Sequence, residues 1–308
     1  MTSFIKKLVD TYNHVNHDLA DPRTNNYFLV SSPIPIITIT GFYLYFCTSY
    51  GKRYMRDRKP FNLRNVVFVY NIFQVLMSTY LFSQGAQYMW SDQYSFVCET
   101  VDYSDNPRAI LVANAGWWYF FSKVIEYLDT VFFVLRKKNN QVSFLHVYHH
   151  SLMALCMWFG VKYFPGGQAV VMGTLNAFVH IVMYTYYFIA GLGPEYQKYI
   201  WWKKHLTVLQ LVQFVIILVH NTIPLFTDCS FPKSLNIAMA SNSLLFIYLF
   251  GRFFIANYIK TKPKPIQNGL VNGNGTVKKE TSNGHGHFEH HFKNGIENDT
   301  SNGKHKDI

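Results

Sequence analysis

His146, His149 and His150 open an apolar run that continues Ser-Leu-Met-Ala-Leu-Cys-Met-Trp-Phe-Gly from Ser151. In a helix they stand at i, i+3 and i+4 and share one face. Imidazole can serve as nucleophile, as general acid or base, or as metal ligand. Three imidazoles inside a membrane-like segment are costly unless partners satisfy them. The stretch therefore marks chemistry rather than packing.

Other apolar runs supply candidate partners. One carries Lys123, Glu126, Asp129 and Thr130. Lys123 and Glu126, at i and i+3, can pair, and Asp129 lies one step further along that face. A structural ion-pair face between helices is the competing reading. A second run places Asn176, His180 and Tyr184 on one stripe at i, i+4 and i+8, with Tyr187 following. A third holds Thr207, Gln210 and Gln213, which interhelical amide bonding explains equally well.

The elements that must position these groups are membrane helices. Of the 308 residues, 49% are hydrophobic and only 15% charged, against roughly 25% charged in an ordinary soluble domain. Apolar runs fall at about 33–50, 66–84, 113–135, 142–161, 168–190, 205–223 and 235–258. Each is near the ~20 residues a spanning helix needs. The expected fold is an all-α integral membrane protein with seven transmembrane helices. Residues 1–32 read as a polar N-terminal segment without a cleavable-signal pattern, and 33–260 as the membrane catalytic domain. Residues 261–308 are polar and read as a disordered tail.

The net charge of +11 is not a nucleic-acid footprint, because the basic residues sit in short clusters between apolar runs. The loops after the first, third and fifth runs, with the flank after the seventh, hold 15 Lys and Arg against 6 on the other side. Positive loops stay cytosolic, so the N-terminus is expected in the lumen and the C-terminus in the cytosol. Cys98 and Cys229 then share the oxidising side and can form a disulfide; two free thiols are the alternative. In the tail, His285, His287, His290 and His291 read as solvated. The sequons at Asn274 and Asn298 would be silent in a cytosolic tail, and Lys304 and Lys306 resemble a dilysine retrieval signal.

Counting ~1.5 Å per residue from the charged cytosolic ends puts His149, Asp129, His180 and Gln210 at a similar depth of ~10–15 Å. That predicts one polar chamber under a basic mouth. Such a chamber suits an amphiphile with an anionic head and a long apolar tail. Arg136, Lys137, Lys138, Lys203, Lys204 and Arg252 are candidates to meet phosphates, although setting topology explains each one singly.

Four stretches, in order, resemble the motifs of the ELO family of very-long-chain fatty acid elongases. They are Lys123-x-x-Glu126-x-x-Asp129-Thr130, His146-x-x-His149-His150, Asn176-x-x-x-His180-x-x-Met183-Tyr184-x-Tyr186-Tyr187 and Thr207-x-x-Gln210-x-x-Gln213-Phe214. The resemblance covers roughly residues 25–260. It implies a seven-helix endoplasmic reticulum protein in which six helices enclose an acyl-chain tunnel. It implies condensation of a long-chain acyl-CoA with malonyl-CoA, giving a 3-oxoacyl-CoA two carbons longer, carbon dioxide and CoA. No cofactor or metal is implied. The expected partners are the two CoA substrates, membrane lipids and the ketoacyl reductase, dehydratase and enoyl reductase of the cycle. A homodimer would be unsurprising.

On this reading His149 takes the acyl group as an acyl-imidazole and His180 positions the acyl or malonyl group. His146 and His150 set tautomers and polarise carbonyls, while Asp129 or Glu126 orients an imidazole. Lys123, Asn176, Tyr184, Tyr187, Gln210 and the basic residues Arg136, Lys137, Lys203 and Lys204 would bind substrate. Cys156 is a rival nucleophile in an apolar setting that keeps a thiol inert. Two other classes compete. A di-iron membrane desaturase also uses HxxHH, but needs more histidine boxes than the one present here. A seven-span transporter or receptor would explain polar groups in spans, but not their clustering as a histidine box.

Overall fold

The computed structural model describes residues 2–259. The tail, with its histidine cluster, sequons and terminal lysines, lies outside them. Among the described residues every regular element is helical. Helix α1 (Thr2–Asn13) runs into a π turn at His14–Asp18. Helix α2 (Pro33–Tyr45) starts where the Ser32 side chain accepts from the Ile34 amide, with proline in the first turn where a missing N–H costs nothing. It passes through a π turn, Phe46–Tyr50, into the short α3 (Gly51–Tyr54).

The other rods are α4 (Arg64–Met89), α5 (Pro107–Ile125), α6 (Tyr127–Leu135), α7 (Phe144–Tyr163), α8 (Ala169–Leu192), α9 (Lys203–Thr222) and α10 (Lys233–Phe254). Asn106 and Ser143 cap α5 and α7 by accepting backbone N–H groups. Gly193, at φ 132°, ends α8 in a conformation that favours glycine.

Four helical stretches are long and apolar enough to cross a membrane: Arg64–Met89, Ala169–Leu192, Lys203–Phe226 and Lys233–Ile259. The remaining three apolar runs are also helical, but each is interrupted or polar. The first bends through its π turn. The third divides at Glu126 into α5 and α6. The fourth, α7, carries the three histidines and Lys162.

Helix α7 packs on α5, α5 on α4, α4 on α8, α8 on α9, and α9 on α10. Tyr148 and Met153 of α7 meet Phe246 of α10 and close a ring of six helices. Helix α2 lies outside it, packed on α7, with Tyr43 stacked on Tyr127 of α6. Where α4 crosses α8 the backbones approach closely. A Cβ added at Gly85 would sit 2.0 Å from Thr174 Oγ1 and 3.0 Å from its Cβ.

Residues 1–32 are more than the polar lead-in that their composition suggested. After α1 the chain straps across the end of α7. Lys162, fully buried there, donates to Asn25 Oδ1 at 2.7 Å and to the carbonyls of Val30 and Ser31 at 3.0 and 3.2 Å. Trp158 and Trp117 donate to the carbonyls of Leu29 and Phe28. At the same end Cys98 and Cys229 form a disulfide. Gln168 ties the two neighbourhoods together: its Oε1 accepts from the Glu99 amide, and its Nε2 contacts His220.

The crossing at Gly85 gives a paired test. Gly85→Ala should destabilise the detergent-solubilised protein by about 1–3 kcal/mol through overpacking. At Gly41 an added Cβ would meet none of the described residues within 4 Å, so Gly41→Ala should be neutral or slightly stabilising. Thermal unfolding of the two variants beside the parent checks the contrast.

Candidate active site

The break between α5 and α6 brings two motifs into register. Glu126 has helical φ but ψ −14°, and the Asp129 amide bonds its carbonyl at 3.1 Å in a tightened turn. Lys123, one turn earlier, and Glu126 are therefore both aimed into the ring, and both are buried. Lys123 Nζ donates to Glu126 Oε1 at 2.7 Å and to Asn176 Oδ1 at 3.0 Å, and lies 3.5 Å from His180 Nδ1. His180 Nδ1 is itself 3.1 Å from Glu126 Oε1. A second donor, the Tyr119 hydroxyl, reaches Asn176 Oδ1 at 2.8 Å, and the Tyr119 ring lies under the ammonium at 4.8 Å.

The other Glu126 oxygen faces the histidine box. Oε2 is 3.9 Å from His150 Nδ1, and both atoms are buried without a hydrogen-bond partner among the described residues. One carboxylate thus stands between His180 of α8 and His150 of α7. His150 is buried and packs against both neighbours of its box, 4.3 Å from His146 and 5.4 Å from His149 between ring centroids. His146 Nε2 pairs with Thr130 Oγ1 at 2.9 Å, and Thr130 in turn with the Tyr43 hydroxyl at 2.8 Å. The His149 ring makes no such bond to the described residues. Half-buried, it stands edge-on to Phe246 of α10 at 5.0 Å and to Phe250 at 6.5 Å.

Asp129 belongs to a neighbouring network. It accepts from the Tyr184 hydroxyl at 2.7 Å. Gln74 of α4, fully buried, donates to the Tyr70 hydroxyl at 2.8 Å and to the Tyr184 hydroxyl at 3.4 Å. Of the two carboxylates, Glu126 touches the imidazoles and Asp129 fixes a tyrosine.

Beyond the histidines the ring holds an apolar cavity of about 670 Å³. Its α7 wall begins at Tyr148 and runs through Leu152 and Met153, at i+3 and i+4 from His149, to Val161. That is ~20 Å of helix at 1.5 Å per residue. Cys156 also lines it. Among the described residues no three His, Cys, Asp or Glu side chains are disposed to hold a metal ion.

The structure thus brings together Lys123, Glu126, Asn176, His180 and His150, with His146, His149, Asp129 and Tyr184 around them. It does not bring in Gln210, whose amide reaches only Met183 Sδ at 3.9 Å among the described residues. Tyr187 sits edge-on to Tyr184 and is exposed. The basic candidates stand at helix ends. Arg136 caps α6, and Lys137 adopts φ 55° and donates to the Arg56 carbonyl. Lys203 and Lys204 begin α9, with Lys204 over the Phe254 ring at 5.6 Å. Sequence reasoning missed Tyr70, Gln74 and Tyr119. Tyr70 and Gln74, at i and i+4 inside an apolar run, carried the same signal as the other polar groups in spans. Tyr119, one aromatic among many, carried none.

Fold and site together define a multi-helix membrane protein with a buried histidine–carboxylate–ammonium cluster at one end of an apolar cavity. The chain belongs to the ELO: GNS1/SUR4 family, whose model matches residues 28–266. It is 49% identical over 255 residues to very long chain fatty acid elongase 7 of Rattus norvegicus, covering 81% of this chain and 90% of the relative. It is 45% identical over 265 residues to very long chain fatty acid elongase 4 of Homo sapiens, covering 85% and 84%. A very long chain fatty acid elongase of Aedes aegypti is 46% identical over 261 residues, covering 84% of this chain and 73% of its own.

A buried ion pair missing one partner leaves an uncompensated charge, which costs about 3–5 kcal/mol. Lys123→Met should therefore destabilise strongly. The Lys123→Met/Glu126→Gln double variant should recover most of the loss. Thermal unfolding of both in detergent measures the coupling.

Proposed function

We propose that the protein is the condensing enzyme of fatty acid elongation in the endoplasmic reticulum membrane, a 3-oxoacyl-CoA synthase that joins a long-chain acyl-CoA to malonyl-CoA. Its homologues are very long chain fatty acid elongases. The observation that carries the reading is the position of His149. It adjoins Tyr148 and lies one turn from Leu152 and Met153, which line a ~20 Å apolar wall, and it belongs to a histidine box whose His150 faces Glu126.

The chain spans the membrane seven times, as α2–α3, α4, α5–α6, α7, α8, α9 and α10, with the N-terminus lumenal and the C-terminus cytosolic. This places the basic helix ends Arg136, Lys137, Lys203 and Lys204 on the cytosolic side, where the CoA phosphates remain in water. The acyl chain occupies the cavity. Downstream reductases and a dehydratase take the product, and no cofactor is required.

A ring nitrogen of neutral His149 attacks the thioester carbonyl. The C–S bond breaks, CoA leaves as thiolate, and the imidazolium proton passes to it, leaving an acyl-imidazole. Malonyl-CoA then binds, and its C–CO₂ bond breaks. The electron pair forms an enolate whose α-carbon attacks the acyl carbonyl. The new C–C bond forms, the C–N bond breaks, and His149 regains a proton from solvent. Lys123, held by Glu126 and Asn176, keeps His180 oriented. Glu126 receives the positive character that develops on the neighbouring imidazoles. Thr130 fixes the ring plane of His146.

Purified protein given a long acyl-CoA without malonyl-CoA should release CoA and retain the acyl group on His149, located by mass spectrometry of its peptides. His149→Ala should abolish both signals, and Cys156→Ser should leave both intact. Acyl on Cys156 would move the nucleophile. Product formed without any acyl-enzyme would instead require direct attack in a ternary complex.

A further inference from the structure

Helix α1 has a face that none of the other described residues covers. Phe4, Ile5, Leu8, Val9 and Tyr12 fall on one side of it, since their spacing keeps them within a single arc of a 3.6-residue helix. Phe4 is 67% exposed and Leu8 53%, and the rest of the stripe is exposed as well. Ser3, Lys6, Lys7, Asp10 and Asn13 occupy the opposite side. A stripe of five apolar side chains in water is a penalty at ~25 cal/mol per Å². A surface that persists at such cost marks an interaction.

The position of α1 identifies what covers it. The helix is tied to the ends of two apolar helices, α2 and α7. Tyr12 OH pairs with Ser32 Oγ at 3.1 Å, and Ser32 caps the first turn of α2. Just beyond α1, the Val15 carbonyl accepts from Tyr163 OH, at the last residue of α7. Phe28, Ile34 and Ile37, on and before the first turns of α2, are exposed apolar side chains as well. Lys6 and Lys7 stand on the polar side, where cations meet lipid phosphates.

We propose that α1 is an interfacial helix that lies in the headgroup layer with its apolar stripe toward the acyl chains. Its partner is the lipid surface. From there it holds the strap of residues 15–31 over the end of α7, next to Lys162, at the end of the cavity away from the histidines. The assignment does not depend on the proposed reaction, nor on which leaflet faces the cytosol.

The test uses the full chain carrying Cys47→Ser and Cys156→Ser, with the Cys98–Cys229 disulfide retained. A single environment-sensitive label is placed by Leu8→Cys, by Ile5→Cys or by Asp10→Cys. Each protein is reconstituted into phosphatidylcholine vesicles, with and without phosphatidylserine and with lipids brominated on their acyl chains. At positions 5 and 8 the label should emit at shorter wavelength. Brominated lipid should quench it there several-fold more than at position 10. Equal, water-like emission at all three positions overturns the proposal. So does blue-shifted emission at 5 and 8 that brominated lipid fails to quench, since another protein surface would then be covering the stripe. Two apolar-face reporters keep the result readable if one substitution fails to fold.

Discussion

A charged ammonium and a carboxylate out of water hold one another only while both stay paired and hydrogen-bonded. Lys123 and Glu126 meet that condition 2.7 Å apart, and the rest of the interior is arranged to keep it. Asn176 and the Tyr119 ring complete the ammonium's surroundings, while His180 shares the carboxylate. The helix break at Glu126 is part of the same arrangement, because it aims one oxygen at α8 and the other at α7. Removing Glu126 would take away the carboxylate that His180 contacts on α8 and that faces His150 on α7.

A second constraint is geometric. Polar chemistry at one end and an apolar cavity beyond it need a continuous apolar lining, which α4, α5, α7, α8 and α10 of the ring supply. The wall is held tight where Gly85 lets α4 reach α8. At the far end, the disulfide, Gln168 and the Lys162-anchored strap connect loops that would otherwise have few mutual contacts.

Much of the site was legible because polar groups in apolar runs are rare and therefore conspicuous. His146, His149, His150, Lys123, Glu126 and His180 were read from residue type and spacing, and they converge within one bundle. Asp129 and His180, assigned one depth by counting along the helices, reach buried polar partners, whereas Gln210 does not. Depth says nothing of the face a side chain takes, and Gln210 turns toward Met183. The same gap left open which carboxylate serves the imidazoles, a question decided by the break at Glu126 rather than by spacing. Residues 1–32 were read as polar because their average conceals a two-sided helix, and Lys162, one of the 6 cations counted on the less basic side, is an internal anchor.

The central claim is that this cluster holds an imidazole ready to take an acyl group from CoA. Exchange of isotopically labelled CoA into unlabelled long-chain acyl-CoA, with malonyl-CoA omitted, tests it most directly. A covalent relay through His149 predicts exchange at a rate at least equal to turnover, lost in His149→Ala and sharply slowed in Glu126→Gln. Full condensation activity with no exchange at any CoA concentration would contradict it.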